Sequence, residues 1–221
     1  MAEELRWAII GTGFISNTVA EAIAASPGSR VALVSGRDTG RVTEFAERHR
    51  IARTCVGFAD AVTDPDIDVV YVGTPNHTHH DVVTAAAAAG KAVLSEKSLT
   101  TTMATAHELV DAVRDKVFFV EGLMYLAHPV MQRFVDLLSE ERTGTVTAVH
   151  VRYAADIKAV VNPLGRGTIY NLGCYPVSLL HLIIQSAFGD DVFERRELAG
   201  HGTLTPDETI GSATASVRFA N

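Results

Sequence analysis

The chain has 221 residues, 47% hydrophobic and 20% charged, with a formal net charge of −7. Such a composition excludes a disordered chain and is long enough for one large domain or two small ones. The acidic balance argues against a nucleic-acid partner and against an anionic membrane surface. Two widely separated cysteines, Cys55 and Cys174, form no disulfide framework. No apolar run reaches the length of a bilayer span, and the start "MAEELRWAII" lacks a basic signal region. A cytoplasmic protein with no membrane partner is expected.

In chain order, residues 5–10 read as a strand, followed by a glycine turn and a helix through Ala25. Residues 30–35 read as a second strand, and Asp38 can cap a helix running to about Arg50. A short third unit surrounds Cys55. The β-branched run "DVVYVG" predicts a strand over 68–73, followed by a turn and a helix that stops at Gly90. Two more strands are predicted over 92–95 and 117–121, with the helix "TMATAHELVDAVR" between them. Strands alternating with helices imply a parallel sheet covered on both faces.

After about residue 122 the texture changes. A helix over about 130–140 leads into "TVTAVHVRYAADI", whose alternation predicts an antiparallel strand over 145–157. A helix over 172–188 follows, and "RRELAGHGTL" and "GSATASVRFA" read as two final strands. The expected architecture is α/β: a dinucleotide-binding domain over 1–122, then an α+β domain over 123–221 with an open, mainly antiparallel sheet. The chain stops inside or just after a strand, so that second sheet is expected to be incomplete.

Three motifs carry chemistry. "AIIGTGFIS" places Gly11, Thr12, Gly13, Phe14, Ile15 and Ser16 between the first strand and its helix. Gly11 permits the tight turn, Gly13 lets the backbone approach a pyrophosphate, and Ser16 is small enough for close helix–strand packing. At the end of the second strand, Ser35-Gly36-Arg37, with Arg41 a turn further on, stands where an NAD enzyme usually places an acid for the ribose. A missing acid plus an arginine suits the 2′-phosphate of NADP, whereas Asp38 doing the acid's work would suit NAD. Asp38 fits better as a helix cap, so NADP is the expected cofactor with NAD possible.

The third motif, "GTPNHTHH", lies at the sheet's carboxyl end, where Thr74 and Asn76 can face the cofactor. His77, His79 and His80 invite a zinc reading, but no cysteine or third ligand at helix spacing accompanies them. A helix cap and a cofactor contact by His79 are the expected roles, and no metal is expected. Lys97, in "KAVLSEKSLT", sits where a buried strand runs out, as a solvated surface charge or as chemistry.

Together with "VEGLMYLAHPVMQ" and "YNLGCYPVSLLHLI", these stretches resemble the glucose–fructose oxidoreductase/inositol dehydrogenase (Gfo/Idh/MocA) family, nearest its dihydrodiol dehydrogenase and sugar ketoreductase branch. The resemblance implies a Rossmann domain and an α+β domain that often serves in oligomerisation, here as a homodimer or homotetramer. It also implies reversible oxidation of a secondary alcohol on a small polyol or sugar-like substrate, a cyclitol or a cyclic diol. On the same resemblance "SEKS" matches a Glu-Lys-Pro motif, making Lys97 the catalytic lysine and Glu96 a ribose or nicotinamide neighbour. "NLGCY" matches an Asp-x-Gly-x-Tyr/His motif, making Tyr175 a proton donor or acceptor and placing Asn171 at an acidic position. Ser98 stands where the motif has proline. Some relatives bind dinucleotide without turnover, so a non-catalytic NADP sensor is the alternative reading.

Overall fold

β-Branched and apolar runs become strands when both their faces can be covered, as in the central strands of the first 122 residues, while the edge strands stay more exposed. In the computed structural model, which describes residues 4–140, 142, 144–157 and 163–219, the chain divides after Gly122 into two compact units. The first unit runs β1 (Leu5–Ile10), α1 (Phe14–Ala25), β2 (Ser29–Gly36), α2 (Thr39–His49), β3 (Arg53–Val56) and α3 (Ala59–Thr63). It continues through β4 (Val69–Val72), α4 (His79–Ala88), β5 (Ala92–Ser95), α5 (Met103–Val113) and β6 (Phe119–Glu121). All neighbouring strands are parallel, in the order β3-β2-β1-β4-β5-β6.

Successive side chains of a strand point to opposite faces, and the core divides accordingly. Ala8 and Ile10 of β1 and Val70 and Val72 of β4 join Val82, Val83 and Ala86 of α4 and Leu109 of α5. The intervening Ile9 and Tyr71 join Ala20 and Ile23 of α1 and Val42 and Phe45 of α2. With both faces buried, the central strand β4 has no polar stripe, which is why it reads as a continuous apolar run. Truncating Ile9 or Leu109, each 0% exposed, costs about 2–5 kcal/mol. At the amino edge of the sheet, Arg6 grips Asp68 with Nε and Nη2 at 3.0 and 2.9 Å, tying β1 to the approach of β4. That forked pair holds the Asp68 carboxyl down at about 2.

From β1 the chain winds outward to β2 and β3, then returns to β4 on the other side of β1. This reversal opens a crevice at the carboxyl ends of β1 and β4, where ligands bind in open parallel sheets.

The second unit contains α6 (Pro129–Ser139), a π-helical turn (Ile169–Gly173) running into α7 (Cys174–Phe188), and the strands β7 (Arg196–Leu204) and β8 (Ile210–Phe219). Helix α6 begins at Pro129, with His128 Nδ1 accepting the Val130 N–H at 3.2 Å. Strands β7 and β8 form an antiparallel hairpin. Ala220, the expected last residue of β8, lies outside the described residues.

One expected element is corrected. Residues 145–157 form no strand. Alternating polarity favours an extended chain with two unlike faces, but a strand also needs a partner's ladder of hydrogen bonds. Among the described residues of this unit the one such ladder is β7–β8. The antiparallel sheet of this unit is, among the described residues, the β7–β8 hairpin. Among the described residues, no helix is long and apolar enough to cross a membrane.

Candidate functional site

The crevice begins at the glycine turn after β1. Gly11 has φ +105°, and a Cβ there would fall 2.7 Å from the Gly73 carbonyl oxygen and 3.3 Å from Thr74 Cγ2. Glycine is therefore required for the turn to close against the end of β4. Gly13 differs: a Cβ there would meet nothing within 4 Å, so its backbone stands open to approach. It is also the N-cap of α1, with no side-chain cap and no acidic residue in the first turn. The first-turn N–H groups and the positive end of the helix are thus left for an anion. Thr12 and Ile15 are half-buried beside this opening and Phe14 is 88% exposed. Ser16 is fully buried, and a Cβ on Gly73 would fall 2.4 Å from its hydroxyl, the close packing that the third position of the motif requires. Open glycine backbone and an uncapped helix start fit a dinucleotide pyrophosphate.

At the end of β2 the expected residues separate into two roles. Ser35 is fully buried and donates its hydroxyl to the Gly57 carbonyl, so it braces the β2–β3 edge and has no exposed atom for a cofactor. Gly36 packs under α2, where a Cβ would meet Val42 Cγ2 at 2.9 Å. Arg37 is exposed. Asp38 caps α2, its Oδ1 accepting the Arg41 N–H at 3.0 Å. Arg41 Nη2 in turn donates to the Thr12 carbonyl at 3.4 Å, bringing a guanidinium to the glycine turn.

The third group lies at the carboxyl ends of β4 and β5. Asn76 is buried at the head of a short 3₁₀ turn, Asn76–Thr78, and Thr74 Oγ1 accepts from the Thr78 hydroxyl at 2.8 Å. His79, expected to touch the cofactor, is fully buried, with Nδ1 3.0 Å from the Ser98 carbonyl oxygen and Nε2 2.8 Å from that of Thr74. Burial pushes its pKa down, against two carbonyl contacts that favour the charged ring. It joins two loops. His80 pairs with Asp81 at 3.0 Å and with Glu108 of α5 at 3.1 Å. Among the described residues no three His, Cys, Asp or Glu side chains gather to hold a metal.

Glu96 and Lys97 follow β5 directly, both half-buried, and the Lys97–Ser98 peptide is cis. Glu96 accepts from the Tyr71 hydroxyl at 3.1 Å and from the Lys97 N–H at 3.4 Å. Burial raises its carboxyl pKa, while Tyr71, the Lys97 N–H and the Lys97 ammonium pull it back. Burial and the Glu96 charge push the Tyr71 hydroxyl well above its ordinary value. Glu121, at the end of β6, is also half-buried. Burial raises its pKa and so does Glu96, against the Leu99 N–H and the Lys97 charge.

Two acids therefore face one lysine at this edge. Sequence reading found Glu96 but not Glu121 or Tyr71. The signal for Glu121 was its place at the end of the sixth strand. Tyr71 offered no signal beyond a phenol inside an apolar run.

In the second unit, Asn171 lies in the π-helical turn and its amide donates to the Gly167 carbonyl at 2.7 Å. Tyr175 opens α7, stacked on Tyr153 with ring centroids 5.2 Å apart and tilted against Tyr125 at 6.0 Å. Its hydroxyl reaches Met124 Sδ at 3.8 Å, and Tyr125 hydrogen-bonds Ser178 at 2.7 Å. His181, further along α7, stacks on Phe193 at 4.4 Å, a packing role.

A six-stranded parallel sheet in this order, with a glycine turn opening its first helix, defines a Rossmann dinucleotide-binding unit. Residues 5–121 match the Gfo/Idh/MocA oxidoreductase family, NAD-binding Rossmann fold, and the chain belongs to that family. It is similar to the trans-1,2-dihydrobenzene-1,2-diol dehydrogenase of Xenopus laevis, 33% identical over 212 residues that make up 93% of this chain and 63% of that protein. Among solved structures, GenD2 from gentamicin A biosynthesis, in complex with NAD, is 25% identical with a TM-score of 0.81, over 100% of this chain and 64% of that one. Levoglucosan dehydrogenase, in complex with NADH and levoglucosan, shares the fold at 20% identity and a TM-score of 0.82, over 99% and 64%. The chain thus spans under two thirds of the length of each of these three proteins.

Proposed function

We propose that the chain belongs to an NAD(P)-dependent oxidoreductase that interconverts a secondary alcohol and a ketone on a sugar, cyclitol or cyclic diol. The observation that carries this reading is the open, uncapped start of α1 beside Gly13, in the same sheet edge that ends in Lys97. Gly11, Thr12, Gly13, Phe14, Ile15, Thr74, Asn76 and Glu96 form the cofactor cleft in this proposal, with Arg37 and Arg41 receiving a 2′-phosphate. NADP is then preferred over NAD. The bound cofactor supplies hydride transfer to or from the substrate carbon. The chain's own residues bind, orient and move the proton: Lys97 offers an ammonium and Tyr175 a hydroxyl to the reacting oxygen. Asn171 can hydrogen-bond a substrate hydroxyl through its carbonyl oxygen but cannot take a proton.

The names of the similar proteins, a diol dehydrogenase and a levoglucosan dehydrogenase, support a cyclic polyol as the substrate class. The test is a cofactor-reduction screen with NADP and NAD over sugars, cyclitols and cyclic diols. Turnover of at least one of them, faster with NADP, is expected. NADPH binding with no turnover across the panel would overturn the enzyme in favour of a sensor, the reading to which Ser98 and Asn171 lend weight.

A further inference from the structure

Two side chains that the proposed reaction does not use grip the loop that carries Lys97. Residues 96–102 join β5 to α5 without helix or strand bonds of their own. His79, first residue of α4 and fully buried, places Nδ1 3.0 Å from the Ser98 carbonyl oxygen. A carbonyl only accepts, so that contact is a hydrogen bond when Nδ1 carries the proton. From β6, the Glu121 carboxylate accepts the Leu99 N–H. The Ser98 carbonyl and the Leu99 N–H are the two polar ends of one peptide unit. That unit is planar, so fixing both ends fixes its plane one residue after Lys97.

We propose that His79 and Glu121 are positioning residues that clamp the Ser98–Leu99 peptide and thereby aim the Lys97 ammonium, a role resting on the reading of Lys97 as catalytic. Helix α4 supplies the donor and β6 the acceptor, so the sheet and a helix on its face set the lysine between them. His79 Nε2 lies 2.8 Å from the Thr74 carbonyl oxygen, a contact that is a second hydrogen bond only when the ring carries both protons. The loop beside the glycine turn and the loop bearing the lysine are therefore joined through one ring.

The chain has four lysines, Lys91, Lys97, Lys116 and Lys158, so reductive ¹³C-methylation gives a spectrum in which Lys97→Arg identifies the Lys97 signal. His79→Asn keeps an amide donor near the Nδ1 position, and His79→Gln keeps one near Nε2. The clamp predicts that Gln shifts the Lys97 resonance and its titration midpoint, whereas Asn holds both near wild type. Lys91 and Lys116 signals stay in place in both variants.

Glu121→Gln keeps an oxygen acceptor for Leu99 and Glu121→Ala does not, while both remove the charge that faces Lys97 alongside Glu96. The difference between these two variants isolates the hydrogen bond. This pair also keeps the test decisive if a histidine variant fails to fold. A Lys97 signal that is the same in Asn and Gln, or the same in Glu121→Gln and Glu121→Ala, overturns the clamp. Because no turnover is needed, failure of Lys97 as a catalytic group would leave this result readable. Where a substrate is in hand, His79→Gln loses up to about a hundredfold in kcat through misplacement, with the NADPH Kd unchanged.

Discussion

The proposed preference for NADP rests on Arg37 and Arg41, and on the engagement of the acid beside them. Asp38, the nearest carboxylate in sequence, is engaged as the cap of α2, and Arg41 already reaches the glycine turn through Thr12. A charge-assisted contact to a 2′-phosphate contributes about 1.5–3 kcal/mol. Replacing both arginines by alanine should therefore weaken NADP by about ten- to a hundredfold or more and leave NAD almost unchanged. Fluorescence titration of Trp7, the single tryptophan, measures both cofactors. Equal losses for the two would contradict the assignment. Installing an acid by Gly36→Asp is a poorer test, because its Cβ would press on buried Val42 at 2.9 Å and disturb α2 as well. The arginines were legible in the sequence. A hydroxyl at a strand end looks the same in sequence whether it faces a ligand or, as Ser35 does, a carbonyl just past the next strand.

Among the elements, α1 does the most for binding, and its two glycines separate structure from function. Gly11→Ala meets the Gly73 carbonyl at 2.7 Å from a positive φ and should destabilise the fold itself. Gly13→Ala meets open space at φ −78° and should keep stability within about 1 kcal/mol. Its methyl instead occupies the approach of a pyrophosphate, and dinucleotide affinity should fall about tenfold or more. Thermal unfolding and cofactor titration on the same Gly13→Ala sample check this, and unchanged affinity would remove α1 from the site. The central parallel strands were legible because burial on both faces writes itself into composition. The strand expected over 145–157 was not, because alternation records the two faces of an extended chain and says nothing about a pairing edge. For His79 the motif points to the sheet's carboxyl end, but only the fold reveals that Ser98 approaches it from nineteen positions away.

At the scale of the whole molecule, the proposed chemistry draws on a unit ending at Gly122, with the glycine turn, the arginines and Lys97, and on a unit holding Asn171 and Tyr175. The first was readable because local turns and strand ends position its groups. The second was readable mainly through resemblance, because no periodicity predicts a tyrosine stacked on Tyr153 and tilted against Tyr125. If Lys97 and Tyr175 serve one proton transfer, Lys97→Met and Tyr175→Phe should each be damaging, and the double variant far from additive. The most direct test is single-turnover hydride transfer, followed by the absorbance of NADPH, in wild type and Lys97→Met on the substrate that the screen identifies. The account predicts a rate lower by about 10²–10⁴-fold with NADPH affinity little changed. A near-wild-type rate in Lys97→Met would contradict it, and would make Lys97 an ordinary charge at the end of β5.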